Sequence, residues 1–165
     1  MGQSRPTFRA LFQNPALLLG FGFGSGLAPK GPGTAGTLVG LLLFLPLLLW
    51  SQPLAWALLA VSTIAGVWIC GRASELLGVH DHGGIVWDEF VGIWLVLLCL
   101  PEQTFHYWLF AFVAFRVFDI AKPWPIGWAD EKVSSGFGIM LDDVLAAIMA
   151  IGFIWATTIS LNWLF

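Results

Sequence analysis

Apolar residues in this chain come in long unbroken blocks, with neither strict alternation nor a narrow stripe at helical spacing. Blocks of this kind predict helices that are apolar all round, as membrane spans are. Four lie at residues 37–50, 54–70, 85–100 and 105–120, and a fifth at 141–165 is uncharged from Val144 onward. A crossing takes about 20 residues at 1.5 Å each to cover about 30 Å of hydrocarbon. The first block is short, so its helix is expected to start within the Gly/Pro-rich segment ahead of it. Ser51-Gln52-Pro53 and Pro101-Glu102-Gln103-Thr104 are tight connections that make neighbouring helices antiparallel. Residues 16–27 are apolar too, but Gly20, Gly22, Gly24 and Gly26 interrupt them. They read as a re-entrant or interfacial segment. Arg5 and Arg9 precede them with no small-residue cleavage pattern after, so a permanent segment is expected and not a cleaved signal.

Composition removes the soluble alternatives. The 165 residues are 58% apolar and 10% charged, with a mean hydropathy of +0.85. Soluble domains carry about 25% charged residues. Seven Lys+Arg against ten Asp+Glu, with no basic run, exclude a nucleic-acid partner. The fold class expected is therefore all-α: a polytopic membrane bundle of about five spans plus the Gly-rich N-terminal segment, forming one domain over residues 1–165. Five crossings put residues 1–36, 71–84 and 121–140 on one side. Arg5, Arg9, Lys30, Arg72, Arg116, Lys122 and Lys132 all fall on or near it, which makes that side cytoplasmic. Trp68, Trp87, Trp124 and Trp128 are expected at the near interface, and Trp50, Trp56, Trp108 and Trp163 at the far one. Cys70 and Cys99 lie in apolar runs near opposite faces and read as buried thiols.

The acids change the picture, because no orientation rule gathers them. Only Glu102 belongs to the far side. The third block reaches spanning length only with Asp88 and Glu89, and the fourth only with Arg116 and Asp119. Ionisable groups at that depth cost about 3 kcal/mol each unless paired or hydrated. Arg116, Asp119 and Lys122 are spaced i, i+3, i+6, and Asp142-Asp143 are expected to open the fifth helix. Snorkelling or capping would explain any one of these groups. Three helix ends bringing carboxylates to one side instead call for a cation, and oxygen donors alone select Mg²⁺ or Mn²⁺. His80-Asp81-His82 lacks a second histidine group for a transition metal and suits proton transfer, a phosphate hydrogen bond or loop structure. Phe21-Gly-Phe-Gly-Ser-Gly-Leu-Ala-Pro-Lys30-Gly-Pro-Gly-Thr34-Ala-Gly-Thr37 suits either an anion or close helix packing. It is not a P-loop, since Pro32 stands at the lysine position. Ser134-Ser135-Gly136-Phe137-Gly138 is a second such stretch. Carboxylates beside phosphate-suited loops at a membrane surface point to a phosphorylated lipid headgroup.

Four ordered motifs carry a resemblance. Gly24-Ser-Gly-Leu-Ala-Pro…Pro32-Gly-Thr-Ala-Gly-Thr37, His80-Asp-His…Ile85-Val-Trp-Asp-Glu-Phe-Val-Gly92, Phe115-Arg-Val-Phe-Asp-Ile-Ala-Lys-Pro-Trp-Pro-Ile126 and Gly136-Phe-Gly-Ile-Met-Leu-Asp-Asp143 resemble the bacterial phosphatidylglycerophosphatase A family from about residue 15 to about residue 150. The resemblance implies a multi-pass inner-membrane phosphatase, Mg²⁺-dependent, that takes the terminal phosphate from phosphatidylglycerophosphate on the cytoplasmic side. With that substrate, Asp88, Glu89, Asp142 and Asp143 are the expected Mg²⁺ ligands, with Asp119 a fifth candidate. Arg116, Lys122 and Lys30 are expected to clamp phosphate oxygens, with Thr34 and Thr37 in the substrate loop. His82, Asp81 or a carboxylate would act as base, and Asp88 or Asp119 as nucleophile if water is not. The Asp-Gly…Ala-Arg…Asp…Asp spacing of CDP-alcohol phosphotransferases is missing. So are the Pro-Ser-Gly-His and Asp-x-Asp-x-Thr segments of other phosphatases, and the midplane charges and inverted repeats of a transporter.

Overall fold

The computed structural model describes residues 6–79 and 82–164. Among them are helices and no strand: α1 Phe8–Gln13, α2 Pro15–Gly20, a 3-10 segment Gly22–Leu27, α3 Pro32–Trp50, α4 Gln52–Leu77, α5 Trp87–Leu98, α6 Phe105–Ala121, α7 Ile126–Lys132 and α8 Gly136–Leu164. The fold is the expected all-α membrane bundle. Local sequence sets the boundaries. Asn14 caps α2 by accepting from Ala16 N–H at 3.0 Å, with Pro15 at the first position. Gly31 turns left-handed (φ 56°) ahead of Pro32 to start α3, and Gly78 (φ 66°) ends α4. As expected, α3 begins inside the Gly/Pro-rich segment.

Among the described residues, three helices are long and apolar enough to cross a membrane: Pro32–Trp50, Gln52–Leu77 and Gly136–Trp163. Their outer faces expose Leu42, Leu49, Ile64 and Phe153, a surface suited to lipid. The third and fourth expected spans fare differently. α5 has 12 residues, about 18 Å, and every one except Leu95 is buried. α3, α4, α6 and α8 all pack on it, so its neighbours are protein. α6 has 17 residues. The segment 16–27 breaks into α2 and the 3-10 turn, each of six residues and far too short to cross. α2 lies against α4, and Val86 N–H donates to Gly20 C=O at 2.7 Å, which ties it to the chain just before α5.

Glycines on α3 bring it close to α5. A Cβ on Gly36 would sit 2.6 Å from Val86 Cβ, and one on Gly40 would sit 3.0 Å from Phe90 Cδ1. The approach lets Trp94 Nε1–H reach Gly40 C=O at 2.8 Å while its ring stacks on Phe44. Trp87 corrects the interfacial expectation: it is buried, with Nε1–H on Ser62 C=O at 3.1 Å. A buried indole must find an acceptor, and Ser62 on α4 supplies one. Trp50, Trp68, Trp124, Trp128 and Trp163 are exposed. Cys70 is buried, with its Sγ 3.8 Å from Met140 Sδ, and Cys99 is half-buried.

Candidate metal and phosphate site

The starts of α3, α5 and α8 and the end of α6 meet at one end of the bundle. α5 brings Asp88 and Glu89 in its first turn, where helix N-terminal N–H groups favour carboxylates. α6 brings Arg116 and Asp119, three residues apart on one face. α8 brings Asp142 and Asp143. All five carboxylates are buried. Asp142 and Asp143 do not open their helix. They are its seventh and eighth residues, because α8 starts at Gly136. There a Cβ would strike Val67 C=O of α4 at 2.0 Å, so glycine lets α8 begin against α4. Capping therefore does not account for these two acids.

Glu89 is the hub. Its Oε2 accepts from Arg116 Nη1 and lies 2.7 Å from Thr37 Oγ1. Arg116 Nη1 also pairs with Asp119 Oδ2 at 2.9 Å. Thr37, expected in the substrate loop, is wholly buried, and its hydroxyl lies between Glu89 and Gly33 C=O at 3.0 Å. Once α3 starts at Pro32, Gly33 and Thr37 fall four residues apart on the face turned to Glu89. Gly33 is a contact the sequence motifs did not single out: a Cβ there would lie 2.2 Å from Glu89 Oε1. Thr34 and Lys30 are exposed at the start of α3.

Glu89, Asp119 and Asp143 offer oxygens that lie within 4.8 Å of one another. Asp143 Oδ2 is buried with no hydrogen-bond partner among the described residues. Asp143 also feels the charges of Glu89, Asp88, Asp119 and Asp142. The two acid doublets repeat one arrangement. Asp88 Oδ1 accepts from Glu89 N–H at 3.0 Å, and Asp142 Oδ1 accepts from Asp143 N–H at 3.1 Å. Each first acid is tied to the backbone, and each second acid joins the trio. Asp119, a fifth candidate from sequence, belongs to that trio.

Lys122 caps α6 in the left-handed region (φ 41°) and leaves the Arg116 face. Its Nζ donates to Asp130 at 2.5 Å and to Asp142 at 2.9 Å. Burial alone would lower this ammonium, but the bonds to Asp130 and Asp142 outweigh it and hold it above the ordinary lysine range. His82 is buried, lies tilted against the Phe21 ring and accepts Gly84 N–H on Nδ1 at 3.0 Å. A neutral His82 therefore carries its proton on Nε2. His80 and Asp81 lie outside the described residues. Five carboxylates against Arg116 and Lys122 leave a formal surplus of negative charge in a buried site. An orphaned carboxylate oxygen inside an all-oxygen trio fits a hard divalent cation.

The profile of a family described as PgpA, phosphatidylglycerophosphatase A, matches residues 18–158. A Haemophilus influenzae protein named phosphatidylglycerophosphatase A is 45% identical over 157 residues, covering 94% of this chain and 96% of that protein. The Escherichia coli K12 protein of the same name is 42% identical over 152 residues, covering 89% and 86%. A Bacteroides thetaiotaomicron protein carrying the proposed name phosphatidylinositol-3-phosphatase is 40% identical over 139 residues, covering 80% and 86%. No solved structure matches.

Proposed function

Since this chain belongs to the phosphatidylglycerophosphatase A family and is a phosphatase, we propose that it hydrolyses the terminal phosphate of phosphatidylglycerophosphate to phosphatidylglycerol, with Mg²⁺, at the cytoplasmic face of a bacterial inner membrane. One observation carries the metal-dependent reading: the buried trio Glu89, Asp119 and Asp143 with its unpartnered Asp143 Oδ2. These three would hold the ion, with Asp88 and Asp142 adding charge around it. Bound Mg²⁺ supplies phosphate charge neutralisation and a coordinated water of lowered pKa.

The chain's own residues do the rest. Thr37 and Arg116 fix the Glu89 carboxylate, so the trio is pre-oriented. Arg116 contributes the guanidinium best suited to a phosphomonoester, since its fork matches two phosphate oxygens. Lys30, exposed beside Thr34, and Lys122 add positive field at the mouth. His82, with Nε2–H, can donate a hydrogen bond toward a phosphate or leaving oxygen.

The test is phosphate release by purified protein from phosphatidylglycerophosphate, with Mg²⁺ and after chelation. Phosphatidic acid and phosphatidylinositol 3-phosphate run alongside as competing headgroups. Release that ignores chelation overturns the metal reading, and faster release from either competitor overturns the headgroup.

A further inference from the structure

Arg116 faces a second environment. An open groove of about 480 Å³ runs along the outer side of α6, walled by Val113, Val117 and Ile120 and closed by Thr34 of α3, with Arg116 on its floor. Phe112 and Ala121 mark its ends, nine residues or about 13 Å apart along the helix axis. The volume falls in the range of small-molecule sites. Val113, Val117 and Ile120 are 48%, 56% and 69% exposed, so the groove opens sideways along an apolar helix face.

Its chemistry selects the occupant. Among the described residues lining it, Arg116 is the sole charge and the walls are apolar. Arg116 lines this groove while its Nη1 serves Glu89 and Asp119 on the side of the acids. An inorganic anion would leave the apolar wall unused, and a neutral lipid would leave the guanidinium donor unused. One molecule with an anionic end and an apolar body satisfies both. We infer that this groove is the lateral entry for the phospholipid phosphomonoester substrate. It seats the first part of an acyl chain and the glycerol against Val113, Val117 and Ile120, and delivers the phosphate past Thr34 to Arg116. The inference rests on the substrate class proposed above. A second groove, of about 370 Å³ beside Trp56, Ile64, Leu95 and Val144, carries no charge and serves as the control surface.

The experiment compares Val113→Trp and Val117→Trp with Ile64→Trp, assaying phosphate release from dioleoyl and dihexanoyl phosphatidylglycerophosphate in mixed micelles. The α6 variants should lose at least about tenfold in kcat/KM on the long-chain lipid, mainly through KM, and less than about threefold on the short-chain one. Ile64→Trp should match wild type on both. Equal losses on both lipids, or none, overturn the inference. Wild type inactive on both chain lengths would instead indict the headgroup assignment. Photolabelling with a phosphatidic acid bearing a diazirine near its glycerol decides the groove in that case, and also if the variants fold poorly. Label should concentrate at residues 112–121 in the wild-type protein. Label spread evenly over α4 and α8, or the same pattern from a phosphatidylcholine probe, overturns it.

Discussion

Adding one methyl group at Gly33 should separate activity from stability. Its position, 2.2 Å from Glu89 Oε1, is about 1 Å short of ordinary contact, and Arg116 Nη2 is 3.2 Å away on the same side. Glu89 cannot simply turn aside, because Oε2 is held by Thr37 and Arg116. Moving it by about 1 Å weakens a charge-assisted bond worth about 1.5–3 kcal/mol. Against that, alanine gains up to about 1 kcal/mol over glycine in a helix. The net destabilisation of Gly33→Ala is then about 0.5–2 kcal/mol, small enough for the protein to fold. The chemistry suffers more, since a 1 Å misplacement of a catalytic group costs about 100-fold. The assay pairs kcat for phosphate release with thermal unfolding in detergent. A Gly33→Ala enzyme within about threefold of wild type would refute the claim that the Glu89 position is set by α3.

Asp143→Asn should lower kcat by at least about 100-fold and remove the Mg²⁺-induced rise in melting temperature. The apo variant should melt no lower than wild type, because one of several mutually repelling charges is gone; an unchanged Mg²⁺-induced rise would contradict this. Thr37→Val keeps the shape but deletes the hydroxyl on Glu89, so stability should fall by about 1–3 kcal/mol with kcat reduced; denaturation in a detergent series measures it. Lys122 has its pKa raised in the folded protein, so its contribution is complete below the unfolded lysine value and fades only as pH rises through the higher folded one. The destabilisation by Lys122→Ala should accordingly be flat from about pH 6 to pH 9, and a loss that shrinks within that window would show the bridge titrating earlier. Gly36→Ala, aimed at Val86 and not at a carboxylate, should destabilise by about 1–3 kcal/mol, and a wild-type melting temperature would count against the close α3–α5 packing.

Much of this architecture was readable from the chain. Blocks of apolar residues located α3, α4 and α8, and charges stranded in the third and fourth blocks pointed at Glu89, Arg116 and Asp119. What was not readable has a common cause. Lipid and protein interior impose the same apolar demand, so the composition of α5 does not reveal which surrounds it. Trp87 was misplaced for that reason: only tertiary packing brings Ser62 C=O to its indole. The start of α8 depends on Gly136 fitting under Val67, a contact between residues far apart in sequence. Thr37 reads from sequence as part of an anion-suited stretch, and is a support for Glu89 because packing of α3 on α5 turns its hydroxyl to that carboxylate. Lys122 left the expected phosphate face because its backbone turns left-handed where the periodicity argument continued a helix.

The shortness of α5 bears on how the protein is made. Twelve residues headed by two acids are too few and too polar to partition alone into the bilayer. α3, α4 and α8 can each enter lipid independently, whereas α5 is soluble there only with companions around it. Biogenesis must therefore deliver it late, threaded between already inserted neighbours or carried in with α6 as a hairpin. The end that carries Asp88 and Glu89 is then the last part of α5 to leave water.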